Sequence, residues 1–272
     1  MIAPFRLSGS TLRLTLPLVF LSLGRLWAQD TTALGFVQGT YQLDVFSSAL
    51  MPWHTAGMLV TRTLNRSTWL AEMELGQRFG GFSGKVGMAL YHKRLMGDYW
   101  LVEGAYGIGR GYPLAMAGGE YFHPFRSWEV SGGARWMVFA GPNTLWSASG
   151  SVSKYHGRWL SSVRPTVAWL SNTNEMAFGA RGYTRYYVTD HQYWQAAVLY
   201  GYDPTLVLQM GGAVPFDPRV YLVGGELAYQ GGTSSFRAFS ARYGITYYQL
   251  VSIQRWQHTL AVGYKIPYSE RK

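Results

Sequence analysis

Charged and aromatic side chains share one face of an alternating segment that begins at Glu175. Every second residue from position 181 is an arginine or a tyrosine: Arg181, Tyr183, Arg185 and Tyr187. Guanidinium groups bind carboxylates in a bidentate fashion, and aromatic faces pack on sugar rings. Because residues two apart lie on the same face of a strand, the pattern predicts a surface for acidic or sugar-like solutes.

The same alternation projects a larger charged set toward a common interior, which we predict to be the lumen of a barrel. Its members are Glu72, Glu74, Lys85, Glu103, Glu120, Glu129, Arg135, Arg158, Arg164, Arg181, Arg185, Glu226 and Arg242. Three tyrosines are expected near the lumenal arginines: Tyr183, Tyr187 and Tyr243. Most acids lie in the first half of the chain and most arginines in the second, so closure of the sheet would oppose an acidic and a basic wall. If the side chains reach across the barrel, Arg–Glu pairs fill the lumen and rigidify the barrel. If the lumen stays filled with water, the opposed charges produce an electric field across it that orients permeating solutes.

Catalytic and metal-binding patterns are not recognisable in the sequence. Ser153 and His156 are three residues apart and fall on opposite faces of a strand, and no Gly-x-Ser-x-Gly motif occurs. The chain has 6 histidines without ligand spacing and no cysteine, which excludes thiolate ligands and disulfides. We expect no catalytic residue, no metal and no cofactor.

The segments that carry these residues are about 10 to 14 residues long and are separated by turn signals, a length suited to tilted transmembrane strands. From Trp69, one face reads Trp, Ala, Met and Leu, while Glu72 and Glu74 lie on the other. Tryptophans gather at segment ends, as the girdles of a membrane barrel require. A secreted β-sandwich competes on composition alone. The pattern predicts an all-β fold, a transmembrane antiparallel up-and-down β-barrel of about 12 to 14 strands.

The first residues have the pattern of a secretory signal. Arg6 and Arg13 precede an apolar run over 14–23, and Ala28 precedes a polar junction. An uncleaved anchor is disfavoured, because the run is shorter than the roughly 20 apolar residues of a spanning helix. We expect a signal peptide at residues 1–28, a single barrel domain at residues 29–272, and location in the outer membrane of a bacterial cell.

The net charge of +10 comes from arginines scattered singly among aromatic residues. There is no basic tail, so nucleic acid is not an expected partner. The expected partners are outer-membrane lipids and lipopolysaccharide, with an envelope protein as a further candidate.

Prolines predict two irregular places. Residues 203–219 contain Pro204, Pro215 and Pro218 and should form a long loop. Pro165 lies inside a predicted strand, where proline cannot donate to the ladder, so it predicts a bulge or a strand end.

Several short strings resemble YaiO-type outer-membrane β-barrels over roughly Leu34 to Pro204. They are Trp53-His54-Thr55-Ala56, Arg62, Gly80-Gly81, Tyr99-Trp100, Gly118-Gly119-Glu120, Lys154-Tyr155-His156-Gly157-Arg158-Trp159 and Arg164-Pro165. The resemblance implies an outer-membrane barrel and adds little about transport. Barrel chains often end on an aromatic residue, whereas this one ends four residues after Tyr268, so an assembly signal would end near Tyr264 or Tyr268.

The sequence leaves three hypotheses for the function of this barrel. The first is a narrow pore for small anionic or sugar-like solutes, which predicts stepwise conductance. The alternative is a structural or partner-docking barrel with a filled lumen, which predicts silence in bilayers and a co-purifying partner. An outer-membrane lipid hydrolase is third, because it needs a Ser/His pair that the sequence does not display. We expect the protein not to be an enzyme.

Overall fold

The computed structural model describes most of the chain after residue 33. The described ranges are 34–47, 51–78, 81–94, 97–109, 112–139, 144–171, 174–201, 221–232, 237–250 and 253–269. The signal peptide, the loop predicted at 203–219 and the last three residues lie outside them. Within these ranges, no helix is long and apolar enough to cross a membrane.

The described residues form fourteen strands. They are β1 (Leu34–Phe46), β2 (Trp53–Leu64), β3 (Ser67–Arg78), β4 (Gly81–Lys93), β5 (Tyr99–Ile108), β6 (Ala115–Phe125), β7 (Trp128–Val138), β8 (Thr144–His156), β9 (Trp159–Leu170), β10 (Glu175–Thr189), β11 (Gln192–Gly201), β12 (Tyr221–Gly232), β13 (Ala238–Leu250) and β14 (Ile253–Ser269).

The strands close into one antiparallel barrel. Each strand pairs with its neighbours in chain order, and β1 pairs with β14, where Thr40 lies opposite Gly263. Closure pairs the backbone groups of every strand on both sides, which a membrane interior demands because it offers no water to hydrogen-bond. The predicted all-β barrel is confirmed, at the upper end of the range of 12 to 14 strands.

The outward face is apolar and bounded by aromatic belts. On β9, Trp159, Val163 and Trp169 are 47%, 57% and 41% exposed, as the alternation predicts. Ten residues separate the two tryptophans, which is about 33 Å of strand and about 25 Å of height at a tilt near 40°. This height matches the apolar band of outer-membrane barrels, roughly 25 Å.

Pro165 is accommodated without a bulge, so that prediction is wrong. It lies in the middle of β9 opposite Ala180 of β10, in regular register. On the other side, the pairing of β9 with β8 omits Gly150 and Ser151 and resumes in the same register. The missing N–H of proline therefore interrupts one ladder locally, and the pairs on either side hold the register.

We call the end of the barrel where β1 begins and β14 ends the terminal end, and the opposite end the far end. Apolar packing inside the barrel is concentrated at the far end. The cluster includes Phe46 at the end of β1, Trp53 at the start of β2, Leu145 near the start of β8, and Leu170 at the end of β9. Leu145 and Leu170 are 0% exposed. We call this cluster the apolar layer.

Candidate functional site: the barrel lumen

The alternation places twelve of the thirteen charged residues predicted for the lumen on the inward-facing positions of their strands. They are Glu72 and Glu74 on β3, Lys85 on β4, Glu103 on β5, Glu120 on β6, Glu129 and Arg135 on β7, Arg164 on β9, Arg181 and Arg185 on β10, Glu226 on β12, and Arg242 on β13. Several of these side chains bond across intervening strands: Arg164 on β9 reaches Glu120 on β6. The concave side of a sheet brings side chains of non-adjacent strands together in this way.

Arg158 is the exception, and its assignment to the lumen wall is corrected. Strand β8 ends at His156 and β9 begins at Trp159, so Arg158 lies with Gly157 in the two-residue turn at the terminal end. Its side chain is exposed there. Gly157 has a φ of 56°, the left-handed conformation that allows so tight a turn.

Ion pairs join most of these charges into a belt around the middle of the lumen. Lys85 Nζ lies 2.9 Å from Glu72 Oε1 and 3.5 Å from Glu74 Oε2. Arg164 Nη2 lies 2.7 Å from Glu120 Oε1. Glu226 pairs with two arginines: its Oε1 lies 3.4 Å from Arg181 Nη2, and its Oε2 lies 3.6 Å from Arg242 Nη1. Arg135 Nε donates to Glu103 Oε1. We call this set the charged belt.

The pairs of the charged belt lie along the wall rather than across the barrel. Each recorded pair joins strands at most three positions apart, such as β6 and β9, whereas opposite walls are seven strands apart. The expected opposition of acidic and basic walls is thus replaced by local pairing. Glu226, an acid in the second half of the chain, supplies the partner for both Arg181 and Arg242.

Inward-facing glycines give these side chains room to lie flat. A Cβ at Gly118 would sit 2.8 Å from Arg135 Cγ and 3.1 Å from Glu103 Oε1. A Cβ at Gly87 would sit 2.7 Å from Glu72 Oε1. All three distances are shorter than an ordinary van der Waals contact, so larger residues at these positions would push the ion pairs toward the lumen axis.

Solvent reaches the guanidinium end of the belt. The side chains of Arg181, Arg135 and Arg242 are 50%, 39% and 39% exposed, while the Glu120 side chain is 7% exposed. The Glu120 carboxylate is therefore covered by its partners, whereas these three arginines are reached by solvent; in the pairs of Lys85 it is the carboxylates, Glu72 and Glu74, that are more exposed, at 37% and 34%.

Aromatic rings line the lumen at the terminal end. The rings of Tyr99 and Phe122 stack with centroids 4.4 Å apart, and the Tyr99 hydroxyl donates to Glu129 Oε2 at 2.9 Å. Tyr187 and Tyr193 lie on the neighbouring strands β10 and β11, with centroids 5.7 Å apart. We call this region the aromatic vestibule.

Sequence reasoning missed most of this vestibule and misplaced one tyrosine. Tyr99 shares the phase of Glu103 on β5, a signal that could have placed it inside. Tyr243 was expected near the lumenal arginines, but it follows Arg242 directly and so points to the lipid face. It is 42% exposed, and its hydroxyl lies 2.8 Å from His258 Nδ1 on the outer wall.

The outer wall carries one Ser/His contact that the sequence did not reveal. Ser67 Oγ lies 2.9 Å from His92 Nδ1, because the register of β3 and β4 places the two residues opposite each other. The imidazole lies beside the Trp100 ring at 5.4 Å. No carboxylate is recorded as a hydrogen-bond partner of His92 within the described ranges. Nor do three or more His, Asp or Glu residues converge there as a metal site.

Asp98 lies outside the spanning strands, in the turn between β4 and β5, and bonds two residues of β6. Tyr121 donates to Asp98 Oδ2 at 2.7 Å, and His123 Nδ1 lies 2.8 Å from Asp98 Oδ1. The hydrogen bond from Tyr121, followed by that from His123, holds the pKa of Asp98 below its ordinary value.

Comparisons with known proteins agree with this architecture. A family model described as the YaiO membrane beta barrel domain matches residues 36–206. The chain is similar in structure to a bacterial polysaccharide outer membrane secretin, at 9% identity and a TM-score of 0.51, with 86% of this chain and 98% of that chain covered. It is also similar to an outer membrane channel from Pseudomonas putida F1, at 8% identity and a TM-score of 0.51, with 87% and 96% covered. No curated protein matches the sequence.

Proposed function

The chain belongs to the YaiO membrane beta barrel family and is a β-barrel of the bacterial outer membrane, and on that premise we propose that its lumen is a narrow pore for small anionic or sugar-like solutes. The observation that carries the proposal is the arrangement of the charged belt, whose ion pairs run along the wall.

A wall-bound network leaves the axis of the barrel to solvent. Neighbouring strands are about 4.8 Å apart, so a pair that spans three strands follows the wall for about 14 Å. Gly87 and Gly118 provide the space that lets the pairs lie flat. The exposed arginines then offer hydrogen-bond donors to a passing solute, while the neighbouring carboxylates limit how tightly it is held. A solute is conducted only if it binds well enough to enter the pore and weakly enough to leave it.

The apolar layer acts in this proposal as the barrier at the far end. Met137, Leu170 and Leu222 are at most 2% exposed, and packed apolar side chains at a constriction exclude water and ions. In this proposal the resting pore is closed at the apolar layer, and transport requires that the layer open.

Liposome swelling tests the proposal directly. Vesicles that contain the refolded protein should swell in solutions of small sugars and sugar acids and not in solutions of long oligosaccharides. Vesicles with heat-unfolded protein are the control. Equal rates with folded and unfolded protein would refute the pore.

A structural or partner-docking barrel is the second candidate, and the apolar layer is the observation that favours it. Nine buried residues from eight strands pack together there with Phe139, which directly follows β7, and this packing would rigidify a barrel whose only task is to be a platform. That function predicts no swelling and no conductance, together with an envelope protein that co-purifies.

We assign the barrel no catalytic reaction. The Ser67–His92 contact is the nearest approach to hydrolytic chemistry on the outer wall, but a tryptophan ring, and no recorded carboxylate, lies beside the imidazole. A catalytic serine needs a base that a third group orients. Absence of lipid hydrolysis by the refolded protein is the expected result.

A further inference from the structure

Arg185 differs from the arginines of the charged belt in the partners that hold it. Arg135, Arg164 and Arg181 each pair with a glutamate. Arg185 lies on the same inward face of β10 as Arg181 but closer to the terminal end. Each of its recorded hydrogen bonds goes to a neutral group. Its positive charge is therefore held in place without being neutralised.

The guanidinium is fixed by three hydrogen bonds and an aromatic ring. Nε and Nη2 donate to Gln195 Oε1 at 3.2 and 2.7 Å, and Nη1 donates to the Tyr187 hydroxyl at 3.2 Å. The Tyr193 ring centroid lies 4.1 Å from Cζ, and the Tyr183 centroid lies at 5.8 Å. Such a cage orients the guanidinium plane before a ligand arrives, which reduces the entropic cost of binding.

Two of the guanidinium N–H groups are left for a ligand. Arginine has five N–H donors, and the three recorded bonds use one on each nitrogen, so one N–H stays on each terminal nitrogen. Two donors on the two terminal nitrogens suit the two oxygens of a carboxylate. A phosphate would meet the same donors, but the surrounding rings favour a ligand that also has a flat, partly apolar face.

The rings around Arg185 supply contact for such a face. Tyr187 and Tyr193 lie beside the guanidinium, and Tyr155 of β8, 47% exposed, lies in register with Arg185 two strands away, because both residues pair with Leu160 of β9. Tyrosine presents an apolar face with a hydroxyl edge, a surface that accepts both the C–H face and the hydroxyls of a pyranose. The Glu129 carboxylate, on β7 next to β8, adds an acceptor for sugar hydroxyls.

We propose that Arg185, with Tyr155, Tyr187 and Tyr193, forms a binding subsite for a sugar that carries a carboxylate, such as a uronic acid. The inference rests on the proposed pore function, because it names the solute class that the terminal end of the lumen selects. The carboxylate binds the two remaining N–H groups of Arg185, and the sugar ring lies on the tyrosine faces.

Isothermal titration of the refolded protein in detergent tests the subsite without requiring transport. The probes are cellobiouronic acid and cellobiose, which differ in one carboxylate. We expect the acid to bind about tenfold more tightly, a difference typical of one charge-assisted contact. In R185Q this preference should disappear while binding of cellobiose is retained. In Y193A binding of both sugars should weaken.

The controls separate folding from recognition. R185K keeps the charge but loses the two-pronged geometry, so it should retain less than the full preference. R158Q removes an exposed arginine from the nearby turn and should change nothing. Each variant should keep the heat-modifiable gel mobility of a folded barrel. Equal affinity for both sugars in the wild type, or a preference that survives in R185Q, would overturn the subsite.

Conductance measured on the same preparations distinguishes the two proposals. Conductance without a preference for the acid refutes the subsite and leaves the pore. Preference for the acid without conductance or swelling refutes the pore and leaves a sugar-binding barrel. Loss of both refutes both.

Discussion

Replacing Glu120 with glutamine is the sharpest test of the charged belt, because this carboxylate makes more contacts than any of its neighbours there. Arg164 donates to Oε1 at 2.7 Å and to Oε2 at 3.0 Å, and Ser131 donates to Oε1 at 2.5 Å. Glutamine keeps the shape but turns one acceptor into a donor that faces a guanidinium.

The stability cost follows from these contacts. Hydrogen bonds to charged groups contribute about 1.5–3 kcal/mol, and breaking a fully buried pair costs about 3–5 kcal/mol. The Arg164 side chain is 32% exposed, so water replaces part of what it loses. We expect E120Q to reduce the free energy of unfolding by about 2 kcal/mol, measured by urea titration of the barrel in lipid vesicles.

The same change should alter ion selectivity by a predictable amount. Fourteen strands spaced about 4.8 Å apart place a wall charge roughly 8 Å from the axis. At that distance a unit charge in water contributes about 0.5 kcal/mol, reduced to about 0.25 kcal/mol by 0.1 M salt. Attraction of anions and repulsion of cations then shift the permeability ratio roughly twofold toward anions.

The matched control is D190N, which removes an acid from the exposed turn between β10 and β11. This variant should leave both the free energy of unfolding and the permeability ratio of anions to cations unchanged. An E120Q barrel with an unfolding midpoint and a selectivity equal to the wild type would show that the Glu120–Arg164 pair neither stabilises the wall nor neutralises the lumen, which refutes the reasoning.

Three further predictions concern the barrel seam, the lumen wall and the rim. Asp44 is 2% exposed and accepts a hydrogen bond from Gln257 of β14. D44A should therefore lower the free energy of unfolding by about 2 kcal/mol, measured as a lower urea midpoint. An unchanged midpoint would contradict a role of Asp44 in joining β1 to β14. G118A should push Arg135 off the wall and reduce single-channel conductance, and equal conductance would contradict the wall-bound arrangement. Because the pKa of Asp98 is lowered in the folded state, its contribution is present above the ordinary carboxyl pKa of about 4 and is lost as pH falls through the lowered value. The urea midpoint of the wild type should therefore exceed that of D98N at pH 5, and the gap should shrink below about pH 4; a gap that widens there would contradict it.

The barrel could be predicted because its signal is local. Period-two alternation, turn residues and tryptophans at segment ends are each visible within a dozen residues. The alternating segment expected to begin at Glu175 is β10, which begins at that residue in the structure. Lumen-facing positions followed from the same alternation, because a strand has two faces.

The layers of the lumen could not be predicted, because they depend on how far each strand is shifted along its neighbour. Leu145 and Leu170 meet because the register of β8 and β9 places them opposite each other, and Phe46 joins them from β1, seven strands from β8 around the barrel. The register that pairs Ser67 with His92, 25 residues away, is likewise set by a whole hairpin. The role of Arg185 depends on Gln195 of the next strand, which sequence analysis did not single out.

Pro165 shows how tertiary pairing overrides a local rule. Proline inside a strand argues for a bulge when the strand is considered alone. In the barrel, β9 is kept in register by its intact pairing with β10 and with the rest of β8. Only Gly150 and Ser151 of β8 lack a pairing to β9 at this point.

Single-channel recording of the refolded protein in a planar lipid bilayer tests the pore most directly, with L145A/L170A as the companion variant. The wild type should show brief, discrete conductance steps, and the variant should stay open longer because the apolar layer that closes the far end is thinned. Persistent silence of both proteins, in samples that keep the heat-modifiable mobility of a folded barrel, would contradict the pore and direct attention to a partner.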